Sequence, residues 1–159
     1  MSLFAIGDLH GCPNELDVLL DAIAPGRDDT VVFLGDYVDR GPGVRALVDR
    51  LLRLQQEVFT SVFLRGNHEG MLLAHLGIAG RHGDVYLENG GGTTLASYGI
   101  PDGTPGHASL ALLPAEHVEF FRACRLHYVA GSFLFVHAGV RPGVPLAEQN
   151  EEDLLWIRE

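Results

Sequence analysis

The chain has 159 residues, of which 47% are hydrophobic and 20% charged, a composition typical of globular proteins. Its formal net charge of -10 argues against general nucleic-acid binding through a basic surface. No apolar run is long enough to span a membrane and no signal peptide is visible, so we expect a cytoplasmic protein with one domain over residues 1–159.

The first half of the chain predicts three consecutive strand–loop–helix units. Apolar runs typical of buried parallel strands cover 3–6, 30–34 and 61–64. A polar loop and then a helical pattern follow each strand, with Asn14 as the expected cap of the first helix and Gln56 near the end of the second. Three such units in succession predict an α/β fold with a parallel sheet and right-handed crossovers.

The second half changes character at the segment 77–106, which is rich in glycine. We interpret this segment as an excursion over the rim of a site, with a short helix over 93–98. Pro114 is expected to open another helix. Two further strands are predicted over 126–129 and 133–136, joined by a short turn.

Four of the predicted strands end in loops that hold metal-ligand residue types. The candidate ligands are, in chain order, Asp8, His10, Asp36, Asn67 and His137. The loops after parallel strands open at the same edge of a sheet, so we expect these side chains to meet. Carboxylate, amide oxygen and imidazole suit a divalent ion such as manganese, iron or zinc. A central Asp36 can bridge two ions, which together clamp a phosphoryl group and lower the pKa of a shared water.

These loops carry four motifs, at 7–11, 35–41, 66–69 and 137–139, which we number one to four in chain order. Together they resemble the ordered signature of calcineurin-like metallophosphoesterases, and the second motif is similar to that of the phosphoprotein phosphatase branch with its bacterial members. The resemblance implies a two-sheet sandwich flanked by helices, in α/β/β/α order. It also implies a dinuclear metal-dependent phosphoester hydrolase, in which a metal-bridging hydroxide attacks a phosphomonoester.

The resemblance further implies which residues hold the ions. Asp8, His10 and Asp36 would hold one divalent ion, with manganese the expected metal. Asp36, Asn67 and His137 would hold the second, so that Asp36 bridges the two.

The same resemblance implies the catalytic roles. His68 would be the general acid that protonates the leaving alkoxide, and Asp39 would orient its imidazole. A carboxylate beside a histidine fixes the imidazole tautomer, which agrees with this role. Arg40 would bind phosphate oxygens through its planar guanidinium, with Asn67 beside it. Arg141 flanks the fourth motif and is a further candidate for substrate contact.

One departure from the family lies at the C-terminal end. The family supplies another metal-binding histidine, and often a second arginine, farther downstream, but no histidine follows His137 here. A helix start at 151–153 also runs into Trp156 just before the chain stops at Glu159. We therefore expect a catalytic domain truncated at its C-terminus, without the last strands of the second sheet.

The motifs leave the substrate open. The leading hypothesis is a Ser/Thr protein phosphatase-like enzyme that acts on a phosphorylated protein or a small phosphoester. A symmetric diadenosine tetraphosphate hydrolase shares the same motifs, because specificity depends on rim loops such as 77–106. A non-catalytic phosphate-binding module is the alternative of another class, since the C-terminal metal ligand is missing. The Asp39–His68 pair argues against it, because a binder needs no general acid. The oligomeric state stays open.

Overall fold

The computed structural model describes residues 1–158 and confirms the α/β fold with a parallel sheet. The three parallel strands are β1 (Leu3–Ile6), β2 (Thr30–Phe33) and β3 (Thr60–Phe63). They lie in the order β1-β2-β3, with their first residues opposite one another. Consecutive strands are therefore neighbours, as short right-handed crossovers favour.

Seven α-helices are described within residues 1–158, some of them very short. They are α1 (Pro13–Ile23), α2 (Val44–Leu54), α3 (Asn67–His75), α4 (Gly92–Ser97), α5 (Gly106–Leu110), α6 (Ala115–Ala123) and α7 (Glu151–Trp156). A π-helical turn (Leu87–Gly91) leads into α4, and a 3-10 turn (Leu146–Glu148) precedes α7. None of the described helices combines the length and the apolarity that crossing a bilayer demands.

The helix starts differ from the sequence predictions in two places. The first helix begins at Pro13, whose missing N–H and fixed φ suit the first helical position, so Asn14 lies inside the helix and does not cap it. The third helix begins at Asn67, inside the third motif, and not after it. The motif side chains of α3 therefore project from a helical first turn and are not carried by a free loop.

The central strand β2 is buried on both of its faces. Val31 and Phe33 of β2 point to the large core formed with the helices. Val32, between them, points to the opposite face, where it joins Val62 and Leu64. This alternation follows from the two-residue period of a strand. It explains why β2 is apolar from Val31 to Phe33 on both of its faces.

A β-hairpin covers the second face of the sheet. Its antiparallel strands are β4 (His127–Ala130) and β5 (Phe133–Val136), of which β4 lies one residue later than predicted. Tyr128 and Phe135 pack against the cluster of Val32, Val62 and Leu64, so two sheets stack as the sandwich prediction required. On the outward face Val129 and Leu134 stay exposed.

The turns after β2 and β3 approach each other closely. Gly35 has φ +102°, and a Cβ on it would collide with the backbone nitrogen of Gly66. A residue without a side chain is therefore required there for two reasons, its left-handed backbone and the neighbouring chain. This contact places the second motif directly beside the third.

We expect Gly35→Ala to lower the free energy of unfolding by about 3 kcal/mol or more, because backbone strain and a backbone collision act together. Gly99→Ala is the matched control, since Gly99 has φ +73° but a Cβ added there would meet no atom within 4 Å. That control should cost only about 1–2 kcal/mol, the strain of a left-handed alanine. Urea unfolding compares the two, and equal losses would contradict the close packing of the turns.

Candidate metal centre

Asp36 stands at the middle of a cluster of side chains from all four motifs. Two groups in the described residues have the composition and spacing to hold a metal ion. One contains His10, Asp36 and His68, and the other contains Asp8, Asp36 and His137, with the candidate ligand atoms of each group within 4.8 Å of one another. Asp36 therefore belongs to both groups, and it is almost fully buried, with 3% of its surface exposed.

The two carboxylate oxygens of Asp36 face different imidazoles. Oδ2 lies 3.7 Å from Nε2 of His10, and Oδ1 lies 3.6 Å from Nε2 of His137. Asp8, which belongs to the group with His137, also lies near His10, because its Oδ2 is 3.9 Å from Nε2 of His10. A carboxylate that divides its oxygens between two sets of ligands has the geometry of a shared ligand.

Backbone carbonyls fix the tautomers of both candidate histidines. Nδ1 of His10 lies 2.7 Å from the carbonyl oxygen of Val38, and Nδ1 of His137 lies 2.8 Å from that of Leu34. A carbonyl only accepts hydrogen bonds, so each Nδ1 carries the proton and each Nε2 presents its lone pair. Metal-binding histidines are held by their other nitrogen in this way. Nε2 of His10 is buried without a hydrogen-bond partner in the described residues, which fits a metal ligand.

Asn67 contacts the group of Asp8, Asp36 and His137 through the His137 imidazole. Its Oδ1 lies 2.9 Å from Nε2 of His137. Since that nitrogen has no proton when Nδ1 donates to the carbonyl of Leu34, the two atoms face each other with lone pairs. A proton or a cation between them satisfies both. The structure thus brings together all five ligands that the sequence predicted.

The predicted general acid is held beside this cluster. Nδ1 of His68 donates to Oδ2 of Asp39 at 2.7 Å, and Asp39 is fully buried. Nη2 of Arg40 donates to Nε2 of His68 at 3.2 Å. Burial disfavours the charged imidazolium, but the hydrogen bond to Asp39 and the charges of Asp36, Asp39 and Glu69 outweigh it and raise the pKa of His68.

Glu69 is a site residue to which the sequence analysis assigned no role. Its carboxylate is fully buried and accepts hydrogen bonds from the backbone N–H groups of Gly66, Asp36, Tyr37 and Val38, at 2.8–3.2 Å. Burial and the charge of Asp36 raise the pKa of Glu69 to about 7, while these hydrogen bonds act in the opposite direction. The available signal was an acidic residue directly before a predicted helix, where a carboxylate can accept hydrogen bonds from the free N–H groups of the helix start.

Arg141 lies apart from the other predicted site residues. Its guanidinium forms a bidentate ion pair with Asp153 of α7, with N–O distances of 2.7 and 2.5 Å. It lines a cavity of about 590 Å³ between α7, α3 and residues 80–82. The structure does not place Arg141 on the cluster around Asp36, so its contact with substrate stays a prediction.

Four strand-end motifs, two ligand groups and a shared aspartate are thus present in one chain. The sequence profile of a family described as "Calcineurin-like phosphoesterase" matches residues 1–159. The chain belongs to this family. The resemblance seen in the sequence is thereby confirmed.

Named relatives of this calcineurin-like phosphoesterase are described as "Bis(5'-nucleosyl)-tetraphosphatase, symmetrical". The relative from Acidovorax ebreus (strain TPSY) is 34% identical over 152 residues, covering 89% of this chain and 45% of the relative. The relative from Paracidovorax citrulli (strain AAC00-1) is 36% identical over 145 residues, covering 89% of this chain and 45% of the relative. The chain spans about half the length of these relatives.

Solved structures support the fold. A candidate diadenosine tetraphosphatase superimposes with a TM-score of 0.68 at 23% identity, covering 96% of this chain and 56% of that one. A cold-active protein tyrosine phosphatase gives a TM-score of 0.61 at 22% identity, and the match covers 87% of this chain and 41% of that one. At these identities the likeness concerns the fold alone.

Because Asp36 belongs to both ligand groups, we expect Asp36→Asn to weaken the binding of two manganese ions. Asp8→Asn removes a carboxylate from one group only and should weaken one ion. Asp17→Asn, on the exposed face of α1, is the silent control. Titration calorimetry with manganese measures stoichiometry and affinity for each variant. A loss in Asp36→Asn no larger than that in Asp8→Asn would contradict a shared ligand.

Proposed function

We propose that this chain forms the metal-binding part of a phosphoester hydrolase that cleaves dinucleoside tetraphosphates symmetrically. The observation that carries the hydrolase proposal is Asp36, whose two oxygens face two separate groups of metal-ligand side chains. Two neighbouring ions sharing a carboxylate are typical of sites that transfer phosphoryl groups.

The proposed ligand sets follow the family resemblance. By spacing alone, His10 groups with His68 and Asp8 groups with His137, in each case around Asp36. Asp8, His10 and Asp36 are proposed to hold one divalent ion, and Asp36, Asn67 and His137 the second. Manganese is the proposed metal, with iron and zinc as alternatives, because the set mixes oxygen and imidazole ligands without thiolate. When bound, such ions polarise the phosphoryl oxygens and lower the pKa of water for attack.

The chain's own residues have distinct parts in this reaction. Arg40 is proposed to bind phosphoryl oxygens, since its planar guanidinium suits two oxygens at once and its Nη2 already points into the site at Nε2 of His68. A negatively charged phosphoryl group is a stronger acceptor than a neutral imidazole, so substrate would draw Arg40 away from His68. Nε2 of His68 then holds a proton for the leaving oxygen, while Asp39 keeps the proton on Nδ1 and the ring in place.

The relatives favour the tetraphosphatase over the protein phosphatase as the substrate hypothesis. The named relatives at 34% and 36% identity are described as symmetrical tetraphosphatases, and neither carries a Ser/Thr phosphatase name. The centre can serve either reaction, because both break a phosphorus–oxygen bond. They differ in the leaving group, which is a nucleoside diphosphate in one and a serine or threonine oxygen in the other.

A substrate panel with manganese separates these possibilities. Each molecule of diadenosine tetraphosphate should be converted to two molecules of ADP, as measured by chromatography of the products. A phosphoserine peptide should release little phosphate. Asp36→Asn is the inactive control for both substrates. Formation of AMP and ATP would contradict symmetric cleavage. Faster hydrolysis of the peptide would restore the protein phosphatase hypothesis, and binding without turnover of either substrate would indicate a phosphate-binding module.

We expect the His68→Asn variant to keep its metal content. Its kcat on a phosphomonoester with a poor leaving group should fall by about 10²–10⁴-fold. The loss should be smaller with 4-nitrophenyl phosphate and with the anhydride bond of diadenosine tetraphosphate, because their leaving groups need less protonation. His107→Asn, at an exposed position of α5, is the matched control. Equal losses across these leaving groups would remove the general-acid role of His68.

A further inference from the structure

We infer that Thr94 is a positioning residue for the Asp39–His68 pair. It lies in α4, within the rim segment 77–106 and 55 residues from Asp39 in sequence. The inference rests on the proposed function, because it concerns how the chain holds its general acid. One of the two measurements that test it does not depend on activity.

The hydroxyl of Thr94 contacts Asp39 at two points. It donates to Oδ1 of Asp39 at 2.6 Å, and it accepts from the backbone N–H of the same residue at 2.8 Å. Oδ2 of Asp39 accepts from Nδ1 of His68 at 2.7 Å. A continuous chain of hydrogen bonds thus runs from Thr94 through Asp39 to the imidazole, and each carboxylate oxygen has its own side-chain donor.

Asp39 needs such a restraint because its backbone is strained. It has φ +70°, and Arg40 next to it has φ +65°, both in the left-handed region that favours glycine. Non-glycine residues keep this conformation only where the surroundings hold them there. The bond from Asp39 N–H to Thr94 is one of those restraints. Since Asp39 and Thr94 are both fully buried, solvent water cannot readily replace it.

Helix α4 is itself anchored, so it can serve as a fixed support. The hydroxyl of Ser97 accepts from the backbone N–H of Arg45 in α2 at 3.3 Å. The hydroxyl of Tyr98 lies 2.8 Å from Nδ1 of the buried His117 in α6, whose Nε2 lies 3.0 Å from Asp49 in α2. These contacts tie the end of α4 to two helices that pack in the main core.

The role of Thr94 follows from this arrangement. Without the hydroxyl, Oδ1 loses its donor and the backbone N–H of Asp39 loses its acceptor. The carboxylate is then free to turn, and the imidazole of His68 loses the partner that fixes its tautomer and its direction. Proton donation to the leaving group should suffer, while Asp36, His10 and His137 keep their places.

Three substitutions isolate the hydroxyl. Thr94→Val keeps the shape of the side chain and removes the hydroxyl, whereas Thr94→Ser keeps the hydroxyl and removes the methyl group. Thr93→Val is the matched control, because the Thr93 hydroxyl donates to the carbonyl of Gly90 and does not touch Asp39. Should Thr94→Val fail to fold, Thr94→Ala carries the same prediction with a smaller side chain.

The kinetic readout uses phenyl phosphate and 4-nitrophenyl phosphate, which differ in how much their leaving groups need a proton. We expect Thr94→Val to lose about 10–100-fold in kcat on phenyl phosphate, with a smaller loss on the nitrophenyl ester and little change in KM. Thr94→Ser should recover most of the rate, and Thr93→Val should match the wild type. Equal losses on both esters, or a Thr94→Val that behaves as Thr93→Val does, would overturn the inference.

The second readout is the nuclear magnetic resonance spectrum of the His68 ring nitrogens, labelled with ¹⁵N. The wild type and Thr94→Ser should show one tautomer with a protected Nδ1 proton, and Thr94→Val should show faster exchange or mixed tautomers. An unchanged His68 signal in Thr94→Val would overturn the inference even if the wild type hydrolyses nothing. Absence of wild-type hydrolysis would count against the proposed function alone. Failure of the proposed function can therefore be distinguished from failure of the inference about Thr94.

Discussion

The buried carboxylate of Glu69 is the interaction on which the site depends. It sits in the first turn of α3 and gathers backbone N–H groups from two segments, Gly66 of its own motif and 36–38 of the second motif. Hydrogen bonds from backbone amides to a buried carboxylate are stronger than neutral ones. They join the turn after β2 to the start of α3. The close approach of Gly35 and Gly66 allows this contact, and Asp36 takes its position from it.

Electrostatics explain why the cluster suits cations. Asp36, Asp39 and Glu69 bury three carboxylates in a small volume, which is costly unless each is compensated. Glu69 is compensated by backbone N–H groups, and Asp39 by His68 and Thr94. Asp36 accepts from the backbone N–H of His68, but its oxygens otherwise face imidazole nitrogens that carry no proton. Divalent ions bound beside Asp36 would supply the missing positive charge.

The sequence predicted the parts of the structure that follow from local pattern. Apolar strand patterns with polar loops at their ends identified the parallel sheet and the candidate ligands that the structure brings together around Asp36. No role for Thr94 could be assigned from the sequence, because its partner Asp39 lies 55 residues away. For Glu69 only Gly66 is a local partner, and the other three N–H donors lie 31–33 residues away. Short elements such as α5 were not predicted for a related reason, since five residues are too few to show a helical period.

The position of Arg141 shows the same limit. Its place beside the fourth motif suggested a phosphate contact, but the acidic start of α7 offers it a carboxylate, and the structure pairs it with Asp153. Arg40, inside the second motif, reaches His68, whereas Arg141 beside the fourth motif pairs with Asp153. A strand fixes the direction of the residues that follow it, whereas a long flexible side chain pairs with whatever charge the tertiary structure places near it.

We propose that Asp36 is shared between two metal ions. Anomalous diffraction from crystals soaked in manganese distinguishes one ion from two, because each bound ion appears as a separate peak. Two peaks are expected on opposite sides of the Asp36 carboxylate, one beside His10 and one beside His137, at roughly the 3.5–4 Å separation of paired metal sites. A single peak that does not contact Asp36, or peaks only elsewhere on the protein, would contradict it.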